Sequence, residues 1–428
     1  MGNKSELIMW KYIVFILCLY FYFHDPYLGM GGGVHSIRLL YLPAIYIVFK
    51  KYKEFSLYLK IFKAELFVLL LTLTYTLLRT AMGGEYGFFM IQIEAILDLF
   101  VLPFMFIIFA NSIKISNEEN FLKSLMIVGG VAAFITILCL TSPTINAFVR
   151  MTFLRFDDNS SISLALYRSF GISDSITSHY GYIQGTMVVF ACYYSKYNKW
   201  ILWLTPFYLL SGMVNARTGG VVAIVGVAIY LMSNKNIKSS ILFIIVASIV
   251  FYNIESLFSM IGVSGETSQW LESFVDQIDT IISQRSLESG TTETLIDTMW
   301  IMPQNMKDWI WGIGRSVFSG EAMGQNSDVG YVNQIMYGGL LYVIPLFSYI
   351  IVVSRKLAKN KYKSFGLFFF LAFLILNLKC RYLPNGGELR LLILFATFVI
   401  YTKYVENKRK QLLSSANQSI DTLMYGNS

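Results

Sequence analysis

Apolar stretches long enough to cross a bilayer recur about twelve times along this chain, each near the ~17–25 residues that a spanning helix needs. They centre on residues 8–23, 37–50, 64–79, 88–110, 121–141, 179–195, 200–214, 217–233, 240–257, 331–353, 364–379 and 389–404. Hydrocarbon offers no partner to an unpaired backbone N–H or C=O, so each stretch must be a helix or a strand of a closed barrel. None alternates with the period of a barrel strand. The expectation is an all-α fold, a polytopic transmembrane helical bundle of about twelve spanning helices. With 55% hydrophobic residues, 14% charged ones and a mean hydropathy of +0.56, no soluble class competes.

Basic residues set the expected orientation. Of 22 lysines, 20 fall in short segments on one side, among them Lys50, Lys51, Lys53, Lys60, Lys63 and the run Lys403 to Lys410. Such an excess marks the cytoplasmic face. Both termini are then cytoplasmic, and residues 405–428 form a short cytoplasmic tail. Ten of the 12 arginines fall on the other side: Arg38, Arg79, Arg150, Arg155, Arg168, Arg217, Arg285, Arg315, Arg381 and Arg390. Topology discourages positive charge there. Planar, always-charged guanidinium groups at the outer face therefore point to bidentate recognition of phosphate or carboxylate, hence to an anionic substrate. The net charge of +8 is concentrated in cytoplasmic loops facing anionic lipid and implies no nucleic-acid partner.

Residues 1–428 read as a single integral membrane domain without internal repeats. The stretch Tyr12 to Phe23 follows Lys4 and Lys11 as in a signal peptide, but His24-Asp25-Pro26 stands where a cleavage site would be. It is expected to stay as the first spanning helix. Cys18, Cys139 and Cys192 lie in apolar runs and Cys380 stands alone, so no disulfide framework is implied. Two outer segments are large, 141–178 and 259–330. In the second, Trp270, Leu271, Phe274, Ile278, Ile281 and Ile282 recur at helical spacing and predict an amphipathic helix. A shorter helix is expected from Thr291 or Thr292 to just before Pro303. Such a loop would roof a cavity.

Signatures of nucleotide, nicotinamide or zinc chemistry are missing: there is no Walker-type loop, G-x-G-x-x-G, H-E-x-x-H or C-x-x-C. Neither a cofactor nor a metal is expected, and the Asp157-Asp158 pair reads better as solvated loop than as a cation site. Arg217 is the sharpest single residue. The apolar runs flanking Asn215-Ala216-Arg217-Thr218-Gly219-Gly220 each reach only roughly 24 Å at helical rise, short of the ~30 Å hydrocarbon core. This hairpin tip is expected to be drawn inward, leaving Arg217 at or below the outer boundary, either snorkelling to headgroups or paired and functional. Glu94 and Asp98 share one face of the fourth helix inside the bilayer and are expected to pair with Arg38, Arg79 or Arg217, with a proton relay as the alternative. Arg285 and Arg315 bracket the helices of the large loop. Asp328, directly before the tenth helix, is either that helix's N-cap or a general base. Among the histidines, His24 and His35 sit in the first outer loop, and His179 reads as an interfacial residue.

Four stretches resemble the bacterial O-antigen polymerases of the Wzy type, relatives of the O-antigen ligases. They are Arg168-Ser-Phe-Gly171, the NARTGG turn at Arg217, Trp311-Gly-Ile-Gly314, and SDVGYVNQIMYGGLLYVIPLF from Ser327; the segment Asn377-Leu-Lys379 is similar as well. With helix count and loop placement the likeness extends over nearly the whole chain. It implies a metal-independent glycosyltransferase of the bacterial inner membrane. Such an enzyme moves a growing glycan from undecaprenyl pyrophosphate to the non-reducing end of a carrier-linked repeat unit at the periplasmic face. Its partners would be the undecaprenyl-pyrophosphate-linked oligosaccharide, membrane lipid, a chain-length regulator and a flippase. By this resemblance Arg217 and Arg285 clamp the departing pyrophosphate, Arg168 and Arg315 assist, and Asp328 activates the acceptor hydroxyl. Tyr331 and Arg381 complete the substrate-binding set. The related ligases carry a histidine near the position of Asp328, and its absence favours the polymerase. A lipid-linked oligosaccharide flippase or other transporter is the alternative from a different class, but it gives little reason for a one-sided roof of about seventy residues.

Overall fold

A computed structural model describes residues 2–29, 33–153, 169–173, 178–233, 298–317, 327–360, 362–379, 383–384 and 386–425. The described chain is almost wholly helical. In order it forms α1 (Gly2–His24), the two-residue strands β1 (Tyr27–Leu28) and β2 (Val34–His35), α2 (Arg38–Lys50), α3 (Tyr52–Ile61), α4 (Lys63–Ala81) and α5 (Tyr86–Ile96). A π-helical turn over Leu97–Val101 joins α5 to α6 (Leu102–Ser112), and α7 (Glu118–Thr141) and α8 (Pro143–Phe153) follow. Next come α9 (Ser178–Tyr194), a 3-10 turn at Lys199–Leu204, α10 (Thr205–Asn215) and α11 (Arg217–Ser233). The chain closes with α12 (Met306–Trp311), α13 (Gly330–Lys359), α14 (Lys363–Leu376) and α15 (Gly387–Tyr425).

Every expected apolar stretch is helical except 240–257, which lies outside the described residues along with the helices expected over 270–282 and from 291. Among the described residues, five helices are long and apolar enough to cross a membrane: Glu6–His24, Lys63–Ala81, Tyr86–Ser112, Glu118–Thr141 and Gly330–Lys359. Thr218–Ser233 and Lys363–Leu376 are shorter apolar helices. Large apolar side chains such as Leu42, Phe67, Phe134 and Ile224 stand exposed on the bundle's outside, the surface of a membrane protein and not of a soluble one. Two local features go beyond the expectations. The lysine-rich connection 51–63 contains α3, whose Phe55 and Tyr58 pack on Phe104 at ring distances of 5.0 and 5.3 Å. Residues 405–425 continue α15, helped by Glu406 pairing with Lys403 (3.6 Å) and Lys410 (2.7 Å) one turn away.

The π turn has a cause in the sequence. Pro103 carries no N–H, so the carbonyl four residues earlier, Leu99, loses its helical donor. Three tyrosines from other helices fill the gap: Tyr22 donates to the Asp98 carbonyl (2.5 Å), Tyr349 to that of Leu99 (3.5 Å) and Tyr58 to that of Phe100 (3.1 Å). One local defect thereby binds α1, α3 and α13 to the α5–α6 rod.

At the lysine-bearing end of the bundle, Lys356 donates to Glu65 (2.6 Å) and the Ile61 carbonyl (2.7 Å), while Lys196 (3.0 Å) and Tyr362 both reach Glu118. The opposite, arginine-bearing end is stepped. Asp98 lies more than three turns into the α5–α6 rod, about 18 Å below Tyr86 at ~1.5 Å per residue. At that same depth α1 ends and α15 begins, because Tyr22 and Arg390 both meet Asp98. Tyr180, in the first turn of α9, lies against His24 with rings 5.6 Å apart. Among the described residues, helices α1, α9 and α15 therefore stop short of the rim set by α4 and α5 and leave a recess at that end.

Candidate functional site

On the tall side of the recess, the Trp311-Gly-Ile-Gly314 turn is clasped to a break in α13. At Gly339 the backbone takes φ 58° and ψ −163°, which interrupts the helix and frees carbonyls just before it. Ile313 N–H donates to the Met336 carbonyl (2.6 Å) and Gly314 N–H to that of Tyr337 (2.9 Å). Tyr75 donates to the carbonyls of Trp311 (2.7 Å) and Gly338 (2.8 Å), and Arg79 to that of Gly312 (3.1 Å). Glu85 closes the clasp from both its backbone and its carboxylate, its N–H meeting the Gly314 carbonyl (2.8 Å) and Oε1 accepting from Ser316 N–H (2.7 Å). Two motifs quoted separately from the sequence are thus one packed unit.

That unit brings Arg315 and Asp328 into neighbouring strands of chain. Ser327 N–H donates to the Val317 carbonyl (3.0 Å), and Asn333 accepts from Ser316 Oγ (3.2 Å) and Val317 N–H (3.3 Å) while donating to the Ser327 carbonyl (2.7 Å). Arg315 itself is exposed above this fixed backbone. Asp328 is half-buried, and it does not cap α13: Val329 holds the N-cap position, and its N–H bonds Ser327 Oγ (3.2 Å). Of the two readings left open by the sequence, the cap is not realised. Burial raises the Asp328 carboxyl above its ordinary range, with Lys379 pulling the other way. Tyr331 is tied down, its hydroxyl donating to the Leu374 carbonyl (2.8 Å) and its ring stacked on Phe347 (5.6 Å), so it supports the wall more directly than it offers a hydroxyl to substrate. Gln334 and Asn377 exchange amide bonds (3.0 Å each way) beneath it.

The floor of the recess holds charges that the sequence placed only in part. Glu94 pairs with Arg38 (3.4 Å), one of its three expected partners. Asp98 instead meets Arg390 (3.7 Å) and accepts from Tyr41 Oη (2.9 Å), and Arg390 also faces Asp25 (4.0 Å), itself beside His35 (3.2 Å). Arg390 and Asp98 are both buried, which makes each dependent on the other. Arg390 was visible as an outer arginine inside an apolar run; its depth was not.

Helices α9 and α11 start side by side. A Cβ on Gly219 would stand 2.5 Å from the Gly181 carbonyl carbon, so only glycine allows this backbone contact. The NARTGG tip thus lies level with the first turn of α9, and Arg217 is the first residue of α11. Its side chain, together with Arg168, Arg285, Arg381 and Asp157-Asp158, lies outside the described residues. Helix α9 packs against α7, α10, α11 and α15 and is buried along its whole length except at His179. There Nδ1 lies 3.2 Å from Oε2 of Glu388, a fully buried carboxylate in the first turn of α15. His179 is thus the one partly exposed position of α9, held beside a buried carboxylate at the helix end. Among the described residues, no three His, Cys, Asp or Glu side chains gather as a metal site would require. No protein-family model, curated protein or solved structure matches this chain.

Proposed function

We propose that the chain is an O-antigen polymerase. It would span the inner membrane about twelve times with both termini cytoplasmic, joining carrier-linked glycans at the periplasmic, arginine-bearing end. The observation that best supports this reading is the setting of Asp328. Its carboxylate is half-buried, caps nothing, and shares a hydrogen-bonded unit with Arg315 built from two of the motifs that carry the family resemblance. In the proposed reaction Asp328 takes the acceptor hydroxyl's proton as that oxygen attacks the anomeric carbon. The electron pair of the broken C–O bond passes to the carrier diphosphate, which the arginines stabilise.

Purified protein incubated with synthetic carrier-linked repeat unit, without nucleotide sugar, should yield a ladder of products; no ladder would remove the reading. Asp328→Asn should abolish the ladder at unchanged protein level. The base must be ionised and burial raises its proton affinity, so wild-type turnover should fall on the acid side at a pH above the ordinary aspartate range. An acid limb in the ordinary range would take Asp328 out of the role. Arg217→Lys keeps the charge and loses the planar fork, and turnover is expected to drop about a hundredfold. The buried Arg390–Asp98 pair would also suit a flippase or other transporter. A deletion strain separates the readings: single repeat units on core for a polymerase, bare core for a ligase, no exported units for a flippase.

A further inference from the structure

We propose that α8 is an interfacial helix that lies in the membrane surface at the arginine-bearing end, with Ile145, Phe148 and Met151 docked among lipid acyl chains. It concerns how the chain sits in the bilayer and holds whatever reaction the chain performs. The corner that starts α8 is a single residue. Ser142, at φ −133° and ψ 105°, closes α7 by donating its N–H to the Leu138 carbonyl (3.0 Å) and opens α8 by accepting from Ile145 N–H through Oγ (3.4 Å). Helix α7 has 24 residues and starts at Glu118, among the contacts of the lysine-bearing end. At ~1.5 Å per residue it reaches about 36 Å, so a hydrocarbon core of ~30 Å ends within about one turn of Ser142. Helix α8 thus departs from the membrane boundary.

Its apolar side chains form one wide arc. At ~100° per residue, Met151, Phe148, Ile145, Val149 and Phe153 follow one another around the axis, and Asn146 and Arg150 fall on the other side. Thr152 lies within the arc with its hydroxyl donated to the Phe148 carbonyl (2.8 Å). Protein covers only part of this arc. Helix α8 rests on α7 and β1 with Val149 buried and Phe153 half-buried, whereas Ile145, Phe148 and Met151 are exposed, the last two to 62% and 64%. Seen down the axis, the covered, polar and exposed apolar sectors succeed one another, as a helix lying flat between bundle, water and lipid requires. Lipid is the occupant that continuity supplies. Just before the corner, α7 exposes Val131 and Phe134 on a helix apolar enough to span the bilayer, so acyl chains already lie against the helix from which α8 departs. In water the three exposed side chains would cost free energy in proportion to their area, and among acyl chains they do not. The anchor also fixes, at headgroup height, the point where the chain enters the stretch bearing Arg155 and Arg168.

The test uses the full-length protein in bilayer discs of phosphatidylethanolamine and phosphatidylglycerol. Cysteine is introduced singly by Ala147→Cys, Phe148→Cys and Met151→Cys, and a charged maleimide is added, with wild type giving the background of the native thiols. A thiolate forms in water and not among acyl chains, so Ala147→Cys, on the polar side, should react several-fold faster than the other two. In a second arm the wild-type protein is irradiated with a phospholipid carrying a diazirine on its acyl chain, and cross-links are mapped by mass spectrometry. They are expected within α8, at Phe148 and Met151. Equal maleimide rates at all three positions overturn the proposal. So does shielding of Phe148→Cys and Met151→Cys without lipid cross-links in α8, because protein would then be what covers the face.

Discussion

Arg390→Met is expected to lower the stability of the folded protein by about 3–5 kcal/mol, the usual consequence of stripping one partner from a buried ion pair. Asp98 would keep Tyr41 as a donor but lose its guanidinium partner at 3.7 Å, while Asp25 would lose the same group at 4.0 Å. Arg390→Met/Asp98→Asn removes the buried pair and should recover much of the loss, because the carboxylate nearest the missing guanidinium becomes neutral while Asp25 keeps the Ile37 N–H as a donor. Melting temperatures of the three purified proteins decide the matter. A single variant as stable as wild type, or a double variant no better than the single, would mean that the pair holds nothing together. The comparison also bears on the transporter reading, since charges kept for structure alone should be replaceable as a pair without loss of ladder formation.

How much of this was legible in the sequence depends on the distance over which each signal acts. Helices follow from the apolar runs because the bilayer demands internal hydrogen bonding segment by segment. Even the π turn was encoded locally, by Pro103 four residues after Leu99 in a helix that also carries Asp98. By contrast, the partner of His179 lies 209 residues away, and no periodicity links an imidazole at one helix start to a carboxylate at another. Asp98 was expected to find an arginine, and it did, but which one depended on how deep α15 begins. That depth is set by the packing of α15 against α1, the π turn and α6, not by any run of residues. For Asp328, local pattern pointed both to a cap and to a base, and only the backbone placement of Val329 separated them.

The clasp offers the second large effect. Gly339→Ala should release the 306–317 segment from α13 and abolish ladder formation even where the bundle itself persists. Two costs coincide at this position. The backbone at φ 58°, ψ −163° belongs to a region that side chains avoid, worth ~1–3 kcal/mol alone. An added Cβ would also stand 2.5 Å from the Ile310 carbonyl carbon and 2.7 Å from Gly312 N, backbone atoms that cannot swing aside. Relief therefore requires moving α12 and the Gly312–Gly314 turn, which breaks the bonds to Met336 and Tyr337 and loosens Arg315 and Ser327 with them. Gly83→Ala is the matched control: its φ is 88°, but nothing lies within 4 Å of the new Cβ, so it carries the backbone cost without the collision. Limited proteolysis within 306–317, set beside the melting temperature, distinguishes the outcomes. Cleavage rising in Gly339→Ala and not in Gly83→Ala places the damage at the clasp. Equal protection in both would mean that the kink in α13 accommodates a side chain and that Asp328 is positioned without it.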